Sequence, residues 1–272
     1  MVKSSQVVIV TGAGGSGCGR AIALRFAKDG AAVVVSDIND SGGHATAELI
    51  ARTGGRAAFC RADVRDEGEV RALVAFAAST FGRVSVLVNN ASSPEPTVDG
   101  LQGWTESLQT DLMGTLYATR WAIEAMRGAD GGSIVNIASI SALWHGRRTP
   151  GGFPGYDVAK AGVIRLTTGL ATLAEQLGIR VNCLAPGWIA TGGALRYWES
   201  LTPDERTARG VPAKLLQPEE VADIVARLAT DESLSGRVVI WWSDDSPRVI
   251  GWGDRGYHEL AEFDRSMRAD ND

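Results

Sequence analysis

Cysteine is scarce in this chain of 272 residues: Cys18, Cys60 and Cys183 are its only three, odd in number and in no C-x-x-C pairing. That excludes a secreted disulfide framework and a cysteine-based zinc site, and it fits a reducing cytoplasm. Histidine is equally rare, and His44, His145 and His258 share no ligand spacing, so no metal is expected. Positive charge is not in excess either. With 27 basic against 32 acidic residues and a net charge of -5, the chain offers no extended basic face for phosphate backbones, and nucleic acid is not expected as a partner. No apolar run approaches the roughly 18 to 20 residues of a membrane span, and the first six residues lack the charged-then-apolar build of a signal peptide. The expectation is a soluble cytoplasmic protein with no membrane association. Repeats, low-complexity blocks and Pro- or Ser-rich linkers are missing too, and a 44% apolar share over this length is enough to bury one large core.

What the chain does have is glycine, 33 residues of it, and a regular alternation of short β-branched runs with longer helical stretches. This is the pattern of a parallel sheet with helices on both faces. Strands are expected at 6–11, 32–36, 56–61, 84–88, 133–138, 180–184 and 237–242. Helices are expected at 20–29, 43–52, 67–81, about 104–127, about 156–177 and 218–229, the last with Pro218 well placed at its start. A polar, aromatic stretch separates the sixth strand from the last helix. The expected fold is a single doubly wound α/β domain with seven parallel strands, spanning 1–245. Residues 246–272, which include Trp252, Tyr257 and Phe263, break the alternation and read as a C-terminal tail that packs through its aromatics.

The position of the glycines carries the first functional signal. Thr11-Gly12-Ala13-Gly14-Gly15-Ser16-Gly17-Cys18-Gly19 lies between the first expected strand and the first helix, where backbone N–H groups and the helix dipole can hold a pyrophosphate. Glycine is needed there because a Cβ would keep the chain away from the ligand and out of positive φ; a plain flexible turn is the competing reading. Eighteen residues beyond Gly19, Asp37 closes the second strand. A carboxylate at that point can accept both hydroxyls of an adenosine ribose and repels a 2′-phosphate. No arginine or lysine stands between Thr11 and Gly19, and Ile38, Asn39 and Asp40 are not basic either, so NAD is expected rather than NADP.

Further along stand Ala62-Asp63-Val64, Asn89-Asn90-Ala91-Ser92, Ile137-Ala138-Ser139, a Y-x-x-x-K at Tyr156 and Lys160, and Pro186-Gly187-Trp188-Ile189-Ala190-Thr191. With the glycine run, T-G-x(4)-G-x-G, this ordered set resembles the short-chain dehydrogenase/reductase family, a Rossmann fold, from about residue 6 to 242. The family's glycine spacing is one residue shorter, and Ser92 stands in place of a glycine. The resemblance implies a cofactor held by Gly12, Gly17, Cys18, Gly19, Asp37, Asp63, Val64, Asn90, Tyr156, Lys160, Ile189 and Thr191. It also implies a small-molecule alcohol or ketone as substrate, and a homo-oligomer, either dimer or tetramer. Ser139 would orient the substrate oxygen, Tyr156 would move the proton, and Lys160 would hold the nicotinamide ribose.

The residue types suit those roles. Tyr156 and Lys160 are four apart, so on a helix they project from one face. A phenol, which ordinarily titrates near pH 10, needs a nearby cation to act as a base near neutrality, and Lys160 and the positive nicotinamide both supply one. The expected reaction is hydride transfer between nicotinamide C4 and a carbon bearing OH or C=O, with Tyr156 as general base for oxidation and general acid for reduction. Cys183, in an apolar strand, reads as core rather than nucleophile. Two departures motivate a different reading, a dinucleotide-binding sensor or scaffold with little turnover. Asp111 stands where the family usually carries an asparagine that supports a water-mediated proton path to the lysine. An ionised carboxylate there would hold the ammonium and partly cancel its pull on Tyr156; a purely structural helix residue is the alternative. The segment between Ser139 and Tyr156 is also enlarged, and its Arg147 and Arg148 either meet an anionic substrate group or are solvated. Trp144, Trp188, Tyr197 and Trp198 are candidates for pocket walls or for packing. An NADP-dependent reductase is the third reading, in which Asp37→Ala changes little.

Overall fold

Short apolar-rich runs form the strands, the central ones covered on both faces and the one at 56–61 only partly buried. In the computed structural model, which describes residues 6–93, 100–127, 131–143 and 153–251, these are β1 (Val7–Thr11), β2 (Ala32–Asp37), β3 (Arg56–Arg61), β4 (Val84–Asn89), β5 (Gly132–Ile137), β6 (Ile179–Pro186) and β7 (Val238–Trp241). The helices are α1 (Cys18–Lys28), α2 (Asp40–Arg52), α3 (Glu67–Phe81), α4 (Gly100–Ser107), α5 (Gly114–Met126), α6 (Pro154–Gly169), α7 (Leu173–Leu177), α8 (Gly192–Glu199), α9 (Pro203–Ala208) and α10 (Pro218–Thr230). The strand order is β3-β2-β1-β4-β5-β6-β7, all parallel, and a short β8 (Arg248–Val249) adds antiparallel to β7 at the edge. Alternate side chains divide into two cores. Val8, Val10, Val33 and Val35 meet Ile22, Phe26, Val221 and Val225 on one face; Val7, Ile9 and Val34 meet Val70, Leu73, Ala118 and Met126 on the other.

The chain reverses its winding between β1 and β4, and in such sheets ligands sit in the crevice beyond the carboxyl ends of the strands at that point. The glycine run after β1, Asp37 at the end of β2, Asn90 after β4, Ser139 after β5 and residues 187–191 after β6 all emerge at that end. A buried polar ladder braces the floor. Asn89 donates to Thr119 Oγ1 at 3.0 Å and to Asn136 Oδ1 at 2.8 Å, and Asn136 donates to Thr167 Oγ1 at 3.0 Å. The ladder ties β4 and β5 to α5 and α6.

Four expectations are corrected. Among the described residues the sheet has eight strands rather than seven, because the chain turns after Trp242 and residues 248–249 return to β7, two exposed residues too few to show periodicity. The single helix expected at about 104–127 is α4 and α5 joined by a π-helical turn, Leu108–Met113. The helix expected to run to 177 stops at Gly169 and restarts as α7. The aromatic stretch before Pro218 contains α8 and α9, the latter opened by a capping box in which Thr202 and Glu205 bond each other's backbone N–H. Among the described residues, no helix is long and apolar enough to cross a membrane. Trp144, Arg147, Arg148, Trp252, Tyr257 and Phe263 lie outside the described residues.

Candidate active site

The glycine run forms a turn packed too closely to admit side chains at several positions. Gly12 has φ +67°, and a Cβ there would stand 2.7 Å from the Cα of Ala91; one on Gly19 would stand 2.1 Å from the Gly12 carbonyl oxygen. Thr11 and Asn90 pin the loop. The Asn90 amide donates to the carbonyls of Thr11 (2.9 Å) and Gly12 (3.1 Å), and the Thr11 hydroxyl accepts from the N–H groups of Asn90 and Ala91, each at 3.1 Å. Gly15 and Ser16, in the middle of the run, are exposed. Gly17 is the N-cap of α1 and no side chain caps the helix, so its first N–H groups face the cradle, the arrangement that binds a pyrophosphate. Cys18 contributes backbone only: burial pushes its thiol up to about 12.

Asp37 and the glycine loop hold one another. Its Oδ2 accepts from Gly14 N at 2.7 Å and its Oδ1 from Asn39 N at 2.9 Å. Each oxygen keeps a lone pair for a ribose hydroxyl. Asp63 follows β3, but its carboxylate is turned to Arg65, with the closest contact at 2.6 Å. The Arg65 hydrogen bond holds Asp63 below the usual carboxylate range. Val64 is buried against Gly114, where a Cβ would come within 2.7 Å of it.

The second cluster is built around α6, which begins with Pro154 in its first turn and carries Tyr156 and Lys160 on one face. Lys160 is buried, and its Nζ donates to Asp111 Oδ1 at 2.9 Å and to the Ile137 carbonyl at 3.0 Å. The same Nζ lies 5.4 Å from the centre of the Tyr156 ring. Burial pulls the ammonium down, but the charges of Asp111 and then Tyr156, with the Asp111 hydrogen bond, outweigh it and leave Lys160 above its ordinary value. The π turn carries the Asp111 side chain inward, and Thr115 Oγ1 donates to the Asp111 carbonyl at 2.8 Å within that widened turn. Ser139 caps the turn at 140–143, its Oγ accepting from Ser141 N at 3.2 Å. That turn packs on α6. Cys183 is in the core, and burial raises its thiol to about 12, so it is not a nucleophile.

Residues 186–191 connect the two clusters. Gly187 N donates to Trp241 O at 2.7 Å, Trp188 N to Ser243 Oγ at 2.8 Å, and Ala190 N to Leu216 O at 2.8 Å. Ile189 pairs with Leu216, and Thr191 is the N-cap residue of α8, its methyl 3.2 Å from where a Cβ on Gly17 would stand. Beside them opens a cleft of about 750 Å³ walled by Ile140, Leu143, Trp188, Val211, Pro212 and Trp242, with Asp244 and Asp245 at its rim. Trp188 stacks on Tyr197 at 6.0 Å. Trp198 is structural: its Nε1 donates to Pro212 O at 2.9 Å, and Arg206 lies 3.4 Å over its ring. Sequence reasoning missed the far wall, Val211, Pro212 and Trp242, because no motif marks residues that reach the site only through tertiary folding.

Truncating one partner of a buried ion pair leaves the other charge uncompensated, which costs about 3–5 kcal/mol. Asp111→Ala is therefore expected to lower the urea-unfolding free energy by that amount. Replacing both partners by apolar residues, Asp111→Leu with Lys160→Met, should cost much less.

With the geometry in place, similarity to known proteins is informative. The family model described as short chain dehydrogenase matches residues 6–200. A cyclohexanol dehydrogenase from Acinetobacter sp. (strain SE19) is 35% identical over 85% of this chain and 90% of its own length. A cis-4-hydroxycyclohexanecarboxylate dehydrogenase from Sinomonas cyclohexanicum is 37% identical over 84% and 90%. Among solved structures, a 7α-hydroxysteroid dehydrogenase complexed with NADH and 7-oxo glycochenodeoxycholic acid superimposes with a TM-score of 0.75 at 30% identity, covering 89% of this chain and 97% of that one. By sequence, fold and the residues at the carboxyl ends of its strands, the chain belongs to the short-chain dehydrogenase/reductase family of oxidoreductases.

Proposed function

We propose that the chain is an NAD-dependent dehydrogenase, or carbonyl reductase, acting on secondary alcohols and ketones of six-membered rings, with Tyr156 as the proton-transferring group. As a member of its family it is an oxidoreductase that moves a hydride to or from a carbon bearing an alcohol or carbonyl oxygen. The observation that carries the assignment of roles is the placement of the Lys160 ammonium 5.4 Å from the Tyr156 ring, on a helix that packs against the 140–143 turn, whose Ile140 and Leu143 line the cleft.

The glycine turn suits a nicotinamide dinucleotide, because Gly12 and Gly19 let the loop pack directly on Ala91 and on itself, so that the N-terminus of α1, with a glycine at its N-cap, can present its first N–H groups. Gly12, Gly17, Cys18 and Gly19 would take the pyrophosphate and Asp37 the adenosine ribose. Ile38, 55% exposed beside Asp37, Asp63 and Val64 would border the adenine. Asn90, Ile189 and Thr191 would flank the nicotinamide half. When bound, this group supplies the hydride acceptor or donor. Tyr156 takes the alcohol proton during oxidation and returns it to the carbonyl oxygen during reduction. Ser139 orients that oxygen by hydrogen bonding and stabilises its developing charge. Lys160 holds the nicotinamide ribose and sets the potential at the phenol. The indoles of Trp188 and Trp242 supply flat apolar walls for a saturated ring.

Asp37 supports NAD over NADP, since a 2′-phosphate would meet a carboxylate with no cation beside it on residues 38–40. Three free thiols suit a cytoplasmic setting, and assembly as a homodimer or homotetramer is carried over from the family resemblance. A sensor without turnover is the weaker reading, because Ser139, Tyr156 and Lys160 are all present.

Two measurements test this reading. Tyr156→Phe should lower kcat/KM for ring alcohols by about 10²- to 10⁴-fold, while NADH binding followed by fluorescence persists; unchanged turnover contradicts the assignment. Asp37→Ser should raise the ratio of NADP to NAD efficiency by about tenfold or more, because it removes a charge repulsion. A ratio that stays constant shows that Asp37 does not select the cofactor.

A further inference from the structure

Two features of the site have no use in the mechanism above: a carboxylate bonded to the lysine, and a hydroxyl bonded to that carboxylate. Asp111 is fully buried. Its Oδ1 accepts from Lys160 Nζ at 2.9 Å and from the Ser92 hydroxyl, and its Oδ2 accepts from Ser93 N at 3.1 Å. The donors come from two separate places, the segment after β4 and helix α6, while Asp111 itself sits in the π turn. Ser92 and Asp111, which occupy the positions of a family glycine and a family asparagine, are therefore one contact. Resting on the proposed function, we propose that Asp111 is a positioning residue, clamped onto Lys160 by Ser92 and Ser93. Lys160 then works as half of a neutral pair, and the pair sets the pH at which Tyr156 exchanges its proton.

A lone ammonium beside Tyr156 favours loss of the phenolic proton, and an anion bonded to that ammonium opposes this. The titratable groups facing Lys160 are Asp111 from the π turn, Tyr156 from its own helix and Cys183 from β6. Of the other elements packed on α6, β5, β7 and the turn at 140–143 carry no charged residue, and Glu106 of α4 acts on Arg65. Arg180 of β6 is bonded to the carbonyls of Leu228, Ala229, Asp231 and Leu234, and Asp157, next to Tyr156 on α6, has its carboxyl raised by burial. Removing the Asp111 charge therefore takes away the one carboxylate bonded to the cation beside the phenol.

Three variants and two readouts test the proposal. Asp111→Asn and the smaller Asp111→Ser remove the charge, and Asp111→Glu keeps it. In the holoenzyme, the acid limb of the pH profile of kcat/KM for alcohol oxidation should move down by about one pH unit in the first two and stay in place in the third. A purely structural role would lower rates at every pH without moving the limb. The second readout needs no turnover: NMR of ε-¹³C-labelled lysine should show Lys160 titrating above the ordinary lysine value in the wild type, and lower by about a unit or more in Asp111→Asn or Asp111→Ser, because burial then acts without its main opponent. A wild-type Lys160 at or below the ordinary value overturns the proposal by itself, as does a limb or a lysine midpoint that does not move on charge removal. Should the wild type oxidise no ring alcohol, the functional reading fails while the lysine titration still decides this inference.

Discussion

An ammonium group is held in a dry interior by a single carboxylate, and the geometry of the site follows from that requirement. Lys160 is buried by α6 on one side and by β5 and β6 on the other, where an unpaired charge would not survive folding. Asp111 reaches it because the helix between α4 and α5 widens into a π turn, and Ser92 and Ser93 hold the far side of the carboxylate. The position of Tyr156 is a consequence, since a residue one helical turn before Lys160 must share its face.

The same parallel sheet supplies the rest. Successive strands end on one side, so loops far apart in sequence meet there, and the reversal between β1 and β4 leaves a crevice along which a dinucleotide can lie. Each loop is fixed to its neighbour by short polar contacts: Asp37 to Gly14, Asn90 to Thr11 and Gly12, Ser243 to Trp188. The site is rigid at its floor through the Asn89–Asn136–Thr167 ladder. Its open side is walled by aromatic rings.

Much of this was legible in the sequence, for identifiable reasons. Central strands such as β1, β2 and β4, buried on both faces, leave β-branched runs, and glycines between a strand and a helix mark the cradle. The capping box at Thr202 and Glu205 was also readable and would have located α9. Other features left no local trace. Strand β8 is two residues long, and the π turn, Leu-Gln-Thr-Asp-Leu-Met, contains no proline or glycine. Ser92 and Asp111 stand out separately as departures from the family pattern, but their contact depends on tertiary packing. The cleft wall at Val211 and Pro212 is brought in by the Ile189–Leu216 pairing and the Trp198 indole hydrogen bond, neither of which periodicity can show.

The central proposal is that this arrangement exchanges a hydride with the carbinol carbon of a ring alcohol and a proton with its oxygen. Isotope transfer tests it most directly: six-membered ring alcohols deuterated at the carbinol carbon are incubated with the protein and NAD, and ²H NMR locates the label. The account predicts deuterium on nicotinamide C4, in one-to-one ratio with the ketone formed. Ketone formed with the label lost to water, or no transfer from any alcohol of this class, would contradict it.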